Sequence, residues 1–108
     1  MRYLFLITIL FLNACGGAKA PSAVSVDPLV ARGEVVYKSN CIACHNSDPA
    51  KNGSLGPIVA KSSLELIEAR VLKGNYPEGY KPKRESKLMV AMPQLAPDIA
   101  ALYAYLNK

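Results

Sequence analysis

Cys41-Ile42-Ala43-Cys44-His45 places two thiols three positions apart and an imidazole directly after the second. This is the C-x-x-C-H pattern of covalent haem attachment. Each thiol can add across one of the two vinyl groups of a single haem. The imidazole that follows is then held against the iron as its first axial ligand. Three other chemistries share part of the pattern. A structural zinc site wants four Cys or His ligands, and His45, the only histidine, makes just three with Cys41 and Cys44 once Cys15, at the end of the N-terminal apolar run, is set aside. A thioredoxin-like redox pair needs a preceding strand and a sheet. A disulfide from Cys41 to Cys44 closes a very short loop and stabilises little.

Upstream of the motif, Asp27-Pro28 reads as a helix start. Asp is a good N-cap, and proline suits the first helical position, where its missing N–H is no loss. Leu29, Gly33, Val36 and Tyr37 follow at helical spacing on one face, and the helix is expected to end before Cys41. A helix before the motif, and no strand pattern after it, speak against the thioredoxin reading. Residues 16–26 are small and plain and read as a tether, at most about 40 Å long when fully extended.

The first residues run Met1-Arg2-Tyr3 and then apolar from Leu4 to Leu12, broken only by Thr8. One positive charge before a short apolar run is the pattern of a secretory signal. The run is shorter than the roughly 20 residues of a bilayer span. It ends in Leu12-Asn13-Ala14-Cys15, which resembles the lipobox of bacterial lipoproteins. That resemblance implies a signal peptide over 1–14, lipidation of Cys15, and a lipidated tether over 15–26. The domain proper is then 27–108. The alternative is an ordinary signal with Cys15 near its cut. Two acyl chains anchor stably where one does not. Export would place Cys41 and Cys44 in an oxidising compartment.

Downstream, Asp48-Pro49, Asn52-Gly53 and Gly56-Pro57 punctuate a loop over 46–61. A second helix is expected from near Ser62. Ser62 and Glu65 have capping-box spacing, Leu64, Ile67 and Val71 line one side, and Gly74 is a natural stop. Residues 75–94 are proline-rich and read as irregular, which a compact domain rarely tolerates unless something organises them. A final helix is expected from Pro97, with Ile99, Leu102, Tyr103 and Leu106 as its apolar face. The class is small all-α. Phe5 and Phe11 both lie in the signal and the chain has no tryptophan, so the domain's aromatics are tyrosines alone. A domain this small and poor in large apolar side chains needs a staple or a filler. One haem supplies both.

Most of the domain resembles the class I cytochrome c family. Gly33-Glu34-Val35-Val36-Tyr37 leading into Cys41 resembles the family's first helix and attachment site. Gly56-Pro57 resembles the Gly-Pro whose proline carbonyl accepts a hydrogen bond from the proximal histidine. Met92-Pro93 resembles the distal Met-Pro, and Ile99 to Leu106 the last helix. The resemblance implies one covalent haem c and its iron, held by Cys41, Cys44, His45, Pro57 and Met92, with His45 and Met92 as the iron ligands. It implies that the first and last helices cross, Gly33 admitting Tyr105 or Tyr103. Met89 is the other thioether that could serve, and either methionine could instead be a core gap-filler. With both axial positions filled, the iron carries electrons and catalyses nothing. The alternative is a haem sensor or enzyme with an open or labile distal position.

Lys81, Lys83, Arg84 and Lys87 precede Met89, opposed only by Glu85. The resemblance places that loop near the haem edge, where a basic rim could steer an acidic redox partner. The plain alternative is a solvated loop. Tyr76 and Tyr80 could bond a haem propionate, pack over the distal side, or simply lie on the surface. The chain carries a formal charge of +5, yet an exported domain is expected to meet redox proteins and a membrane through its anchor, not nucleic acid.

Overall fold

The computed structural model describes residues 16–17 and 25–108. The expected signal peptide over 1–14, the expected lipidation site Cys15 and residues 18–24 of the expected tether lie outside the described residues. Helix α1 spans Pro28–Asn40, α2 Leu64–Lys73 and α3 Ile99–Leu106, with a 3-10 helix over Pro93–Asp98 leading into α3. No strand occurs among the described residues. The fold is all-α.

Asp27 caps α1 as its residue type suggests, its carboxylate accepting from the Leu29 N–H at 2.8 Å, with Pro28 as first residue. Gly33, Val36 and Tyr37 are buried. Leu29, on the same face one turn earlier, is 46 % exposed, whereas Val30 packs on the core. The buried stripe therefore starts one residue later than the pattern suggested.

α2 starts later too. The Ser63 hydroxyl accepts from Leu66 N–H at 3.2 Å, while the Ser62 hydroxyl donates to the Val59 carbonyl at 2.6 Å. Ser62 and Glu65 thus form no capping box, and Leu64, now the first helical residue, is 42 % exposed. Ile67 and Val71 are buried as expected. Gly74 ends the helix in the left-handed conformation, φ 69°, which only glycine adopts freely.

Pro97 does not open α3. It falls within the 3-10 helix, and the α-helix begins at Ile99. A second proline four residues after Pro93 lacks the N–H an α-helical bond there would use. α3 packs mainly on α1 and also on α2, so its buried side is wide: Ile99, Ala101, Leu102, Tyr105 and Leu106. Tyr105 takes the place expected of Tyr103, which is 41 % exposed.

A Cβ on Gly33 would fall 2.7 Å from Tyr105 Cβ and nearer still to the Ala101 carbonyl. Only glycine lets α1 and α3 approach this closely. Arg32 clamps the same crossing from outside, its guanidinium reaching both Asp98 oxygens at 2.9 and 3.2 Å. Tyr37 and Leu102 are the largest fully buried side chains, and the Tyr37 and Tyr105 rings lie 5.5 Å apart. Burial pushes the Tyr37 phenol up to about 12, so it stays protonated and donates to the Asn46 carbonyl at 2.6 Å. That bond ties α1 to the loop behind the Cys-His motif.

Candidate functional site

The motif sits in the turn that ends α1. The Cys41 N–H closes the helix on the Tyr37 carbonyl at 2.9 Å, and the His45 N–H bonds the Cys41 carbonyl, also at 2.9 Å. This tight turn brings Cys41, Cys44 and His45 to one wall of a single cleft. Both thiols are half-buried and unbridged. Burial, with Cys44 beside it, pushes the Cys41 thiol up to about 11.

The loop over 46–61 returns to this turn and holds it. The Cys44 carbonyl accepts from Leu55 and Gly56 N–H at 3.2 and 2.9 Å. His45 Nδ1 donates to the Pro57 carbonyl at 2.9 Å. A carbonyl can only accept, so Nδ1 carries a proton, and Nε2 is the ring nitrogen left to make a ligand bond. Gly56 lies against the ring: a Cβ there would fall 2.8 Å from Nε2 and closer to Nδ1. Gly53 is equally constrained, since its Cβ would come within 2.6 Å of His45 Cα. Gly53 was legible only as half of an Asn-Gly turn.

The cleft holds about 290 Å³ and is mostly apolar. The same cleft is lined by α2, through Leu66, Ile67, Arg70 and Val71, and by Met89 and Met92. Both methionines are half-buried and pack on the core. Met92 is the better anchored. Its N–H bonds the Val71 carbonyl at 2.6 Å, its carbonyl accepts from Leu95 at 3.0 Å, and Pro93 opens the 3-10 helix behind it. Met89 lies between Leu88 and Val90, which are 66 % and 76 % exposed.

Two thiols, an imidazole, two thioethers and an apolar slot are what a covalently bound haem requires. The cytochrome c family model matches residues 30–108, most of the chain. The chain belongs to the cytochrome c family. No curated protein and no solved structure gives a match. Family membership brings covalently bound haem c with its iron, and the work of an electron carrier rather than an enzyme. The competing readings lose their footing in this cytochrome c domain. Among the described residues no three His, Cys, Asp or Glu side chains gather as a metal cage, and the sheet a thioredoxin-like pair needs is missing.

The basic loop divides. Lys83 Nζ donates to the Ile58 carbonyl at 2.9 Å, and Arg84 reaches Asn52 Oδ1 and the Gly53 carbonyl at 3.3 and 3.4 Å. These two tie the loop to the segment over 52–58; Arg84 is half-buried, while Lys81, Lys83 and Lys87 are exposed. Tyr76 and Tyr80 are not surface residues: both are half-buried and line the cleft. Arg70 was missed. Its signal was available, because it shares the stripe of Leu66, Ile67 and Val71 at helical spacing, a cation where an apolar side chain is usual.

Proposed function

We propose that this protein is a membrane-anchored mono-haem c-type cytochrome that carries single electrons between redox partners at the bacterial cell envelope. Cys41 and Cys44 hold the haem as thioethers, and His45 and Met92 ligate the iron. The observation that carries the reading is the His45 ring, pinned by the Pro57 carbonyl and seated against Gly56 in a cleft that Met92 also lines. When bound, the haem supplies a one-electron couple. The chain contributes ring orientation, a soft neutral sulfur that raises the potential, and an apolar lining that limits water at the iron. With both axial positions filled, no site is left for a substrate.

The reduced visible spectrum of the protein, matured with a haem-attachment system, tests the core of this reading. Haem c bands and no rapid CO binding at neutral pH are expected. Rapid CO binding would instead favour a sensor or enzyme with a labile distal position.

Two finer parts rest on the sequence. Leu12-Asn13-Ala14-Cys15 supports removal of residues 1–14 and lipidation of Cys15, with residues 15–26 as a tether holding the domain on the periplasmic side of a membrane. Recovery of the full-length product in the soluble fraction would overturn this. Lys81, Lys83, Arg84 and Lys87 form a basic rim suited to an acidic redox partner. Electron exchange with such a partner is expected to slow as salt screens the rim, and salt-independent exchange would overturn the docking role.

A further inference from the structure

Between Tyr80 and Met92 the backbone makes no hydrogen bond to the rest of the chain. The Tyr80 N–H bonds the Pro77 carbonyl at 3.1 Å, and the next backbone bond outside the stretch is the Met92 N–H to the Val71 carbonyl at 2.6 Å. Within 81–91 there is one local bond, from the Leu88 N–H to the Ser86 hydroxyl at 3.3 Å. Among the described residues, only two side chains of this stretch bond other parts of the chain. Lys83 Nζ donates to the Ile58 carbonyl at 2.9 Å, and Arg84 donates to Asn52 Oδ1 and the Gly53 carbonyl at 3.3 and 3.4 Å. The ion pairs among the described residues, Arg32–Asp98, Lys38–Glu34 and Lys51–Asp48, give neither cation a carboxylate. Met89 packs on the core, but Leu88 and Val90 beside it are exposed.

The acceptors sit on the firmest loop in the domain. The Gly53 N–H bonds the Gly56 carbonyl at 2.9 Å, and the Leu55 and Gly56 N–H groups bond the Cys44 carbonyl. A Cβ at Gly53 would meet Cys44 and His45, and one at Gly56 would meet the His45 ring. The segment over 52–58 is therefore seated on the Cys-His turn and cannot slide along it. Lys83 and Arg84 hang a loosely held stretch on this fixed one. Both, with Met89 and Met92, line the cleft.

We propose that Lys83 and Arg84 form a latch that holds the 81–91 stretch in place as one wall of the cleft, and so sets how readily an outside ligand replaces Met92 at the iron. The proposal rests on the haem reading above, with Met92 as ligand. Lys83 and Arg84 are positioning residues: they act on the iron only through the stretch that leads into Met92. Hydrogen bonds from charged donors are stronger than neutral ones, and an ordering of this kind must offset the rotamer entropy of two long side chains. When the latch is lost, the stretch keeps its ends at Tyr80 and Met92 and gains freedom between them. Ligand exchange at the iron then becomes faster, while His45, held by Pro57, is untouched.

The experiment is imidazole binding to the oxidised, haem-loaded full chain, followed by the loss of the Met–iron charge-transfer band. At high imidazole the rate levels off at the rate of opening on the methionine side. Lys83→Gln with Arg84→Gln is expected to raise this limiting rate about tenfold, as loss of two bonds from charged donors implies. Asn52→Ala removes an acceptor on the other loop and is expected to raise it too. Combined with Arg84→Gln, Asn52→Ala is expected to add less than it does alone, because the two substitutions break a shared bond. A limiting rate in the Lys83–Arg84 double variant within about twofold of the parent, the usual error of additivity, overturns the proposal. So do strictly additive effects of Asn52→Ala and Arg84→Gln. Chymotrypsin cleavage at Leu88–Met89, a bond that none of these substitutions alters, gives a second readout. Faster cleavage of the haem-loaded double variant is expected, and an unchanged rate counts against the latch. If the double variant does not mature, Lys83→Gln alone, at an exposed position, decides by the same two measurements. Spectra recorded before imidazole is added report the haem and its methionine separately. A parent without the Met–iron band would mean that the ligand reading has failed; a parent with the band and variants that exchange at its rate would mean that the latch has.

Discussion

His45 has one orientation open to it. Its Nδ1 proton is taken by the Pro57 carbonyl, and Gly56 leaves no room for the ring to move back. The distal side is less constrained, because Met89 and Met92 both reach the cleft. Backbone anchoring separates them: Met92 is bonded to Val71 and followed by a 3-10 helix, while Met89 sits between exposed neighbours. Met92→Ala is therefore expected to abolish the Met–iron charge-transfer band, lower the potential and open the iron to CO. Met89→Ala is expected to leave all three as they were. A band that survives Met92→Ala would move the ligand to Met89. Cys41, Cys44 and His45 were legible in the sequence because their geometry is local, set by one turn of chain. For Arg70 only its place in the apolar stripe of α2 was legible, because its partners lie on later stretches: its stack with Tyr76 appears only when α2 meets the loop after Gly74.

At the level of elements, what could be read depended on whether the deciding contact was near in sequence. Asp27 capping α1 and Gly74 ending α2 are contacts within a few residues, and both were legible. The start of α2 was misplaced by one serine, since the Ser62 hydroxyl is drawn to the Val59 carbonyl and Ser63 takes the cap. The apolar face of α3 was misread at Tyr103 because a helix packed on two neighbours buries a wider arc than one stripe. Gly33 shows how much one crossing depends on one residue. Alanine there would drive its Cβ into the Ala101 carbonyl and Tyr105, and backbone atoms cannot move aside as a side-chain tip can. Gly33→Ala is expected to destabilise the protein by about 3 kcal/mol, at or above the upper end of ordinary overpacking, and to lower Tm by at least several degrees. Urea and thermal unfolding of the haem-loaded protein check this. A loss under about 1 kcal/mol would mean that α1 and α3 can separate freely, against ordinary core behaviour.

Taken whole, the domain is held together around a space. Its buried apolar side chains are aliphatic or tyrosine, with no phenylalanine or tryptophan after Phe11. The cleft runs between α2, the methionine segment and the Cys-His turn, and meets the core at Tyr37, Leu102 and Leu106. Without a haem, water reaches side chains that would otherwise be buried, and the long stretch from Asn75 to Met92 loses what it packs on. A domain of this size has little stability in reserve. Covalent attachment makes the filler permanent and ties it to the turn that ends α1. Cys41→Ala combined with Cys44→Ala is therefore expected to leave a largely unfolded chain, with helical circular dichroism well below that of the haem-loaded protein and no cooperative thermal transition. The substitutions themselves remove little: both thiols are only half-buried and neither is bridged. A double variant that melts cooperatively at a comparable temperature would show that the three helices and the Gly33 crossing suffice alone, and that the haem is cargo rather than core.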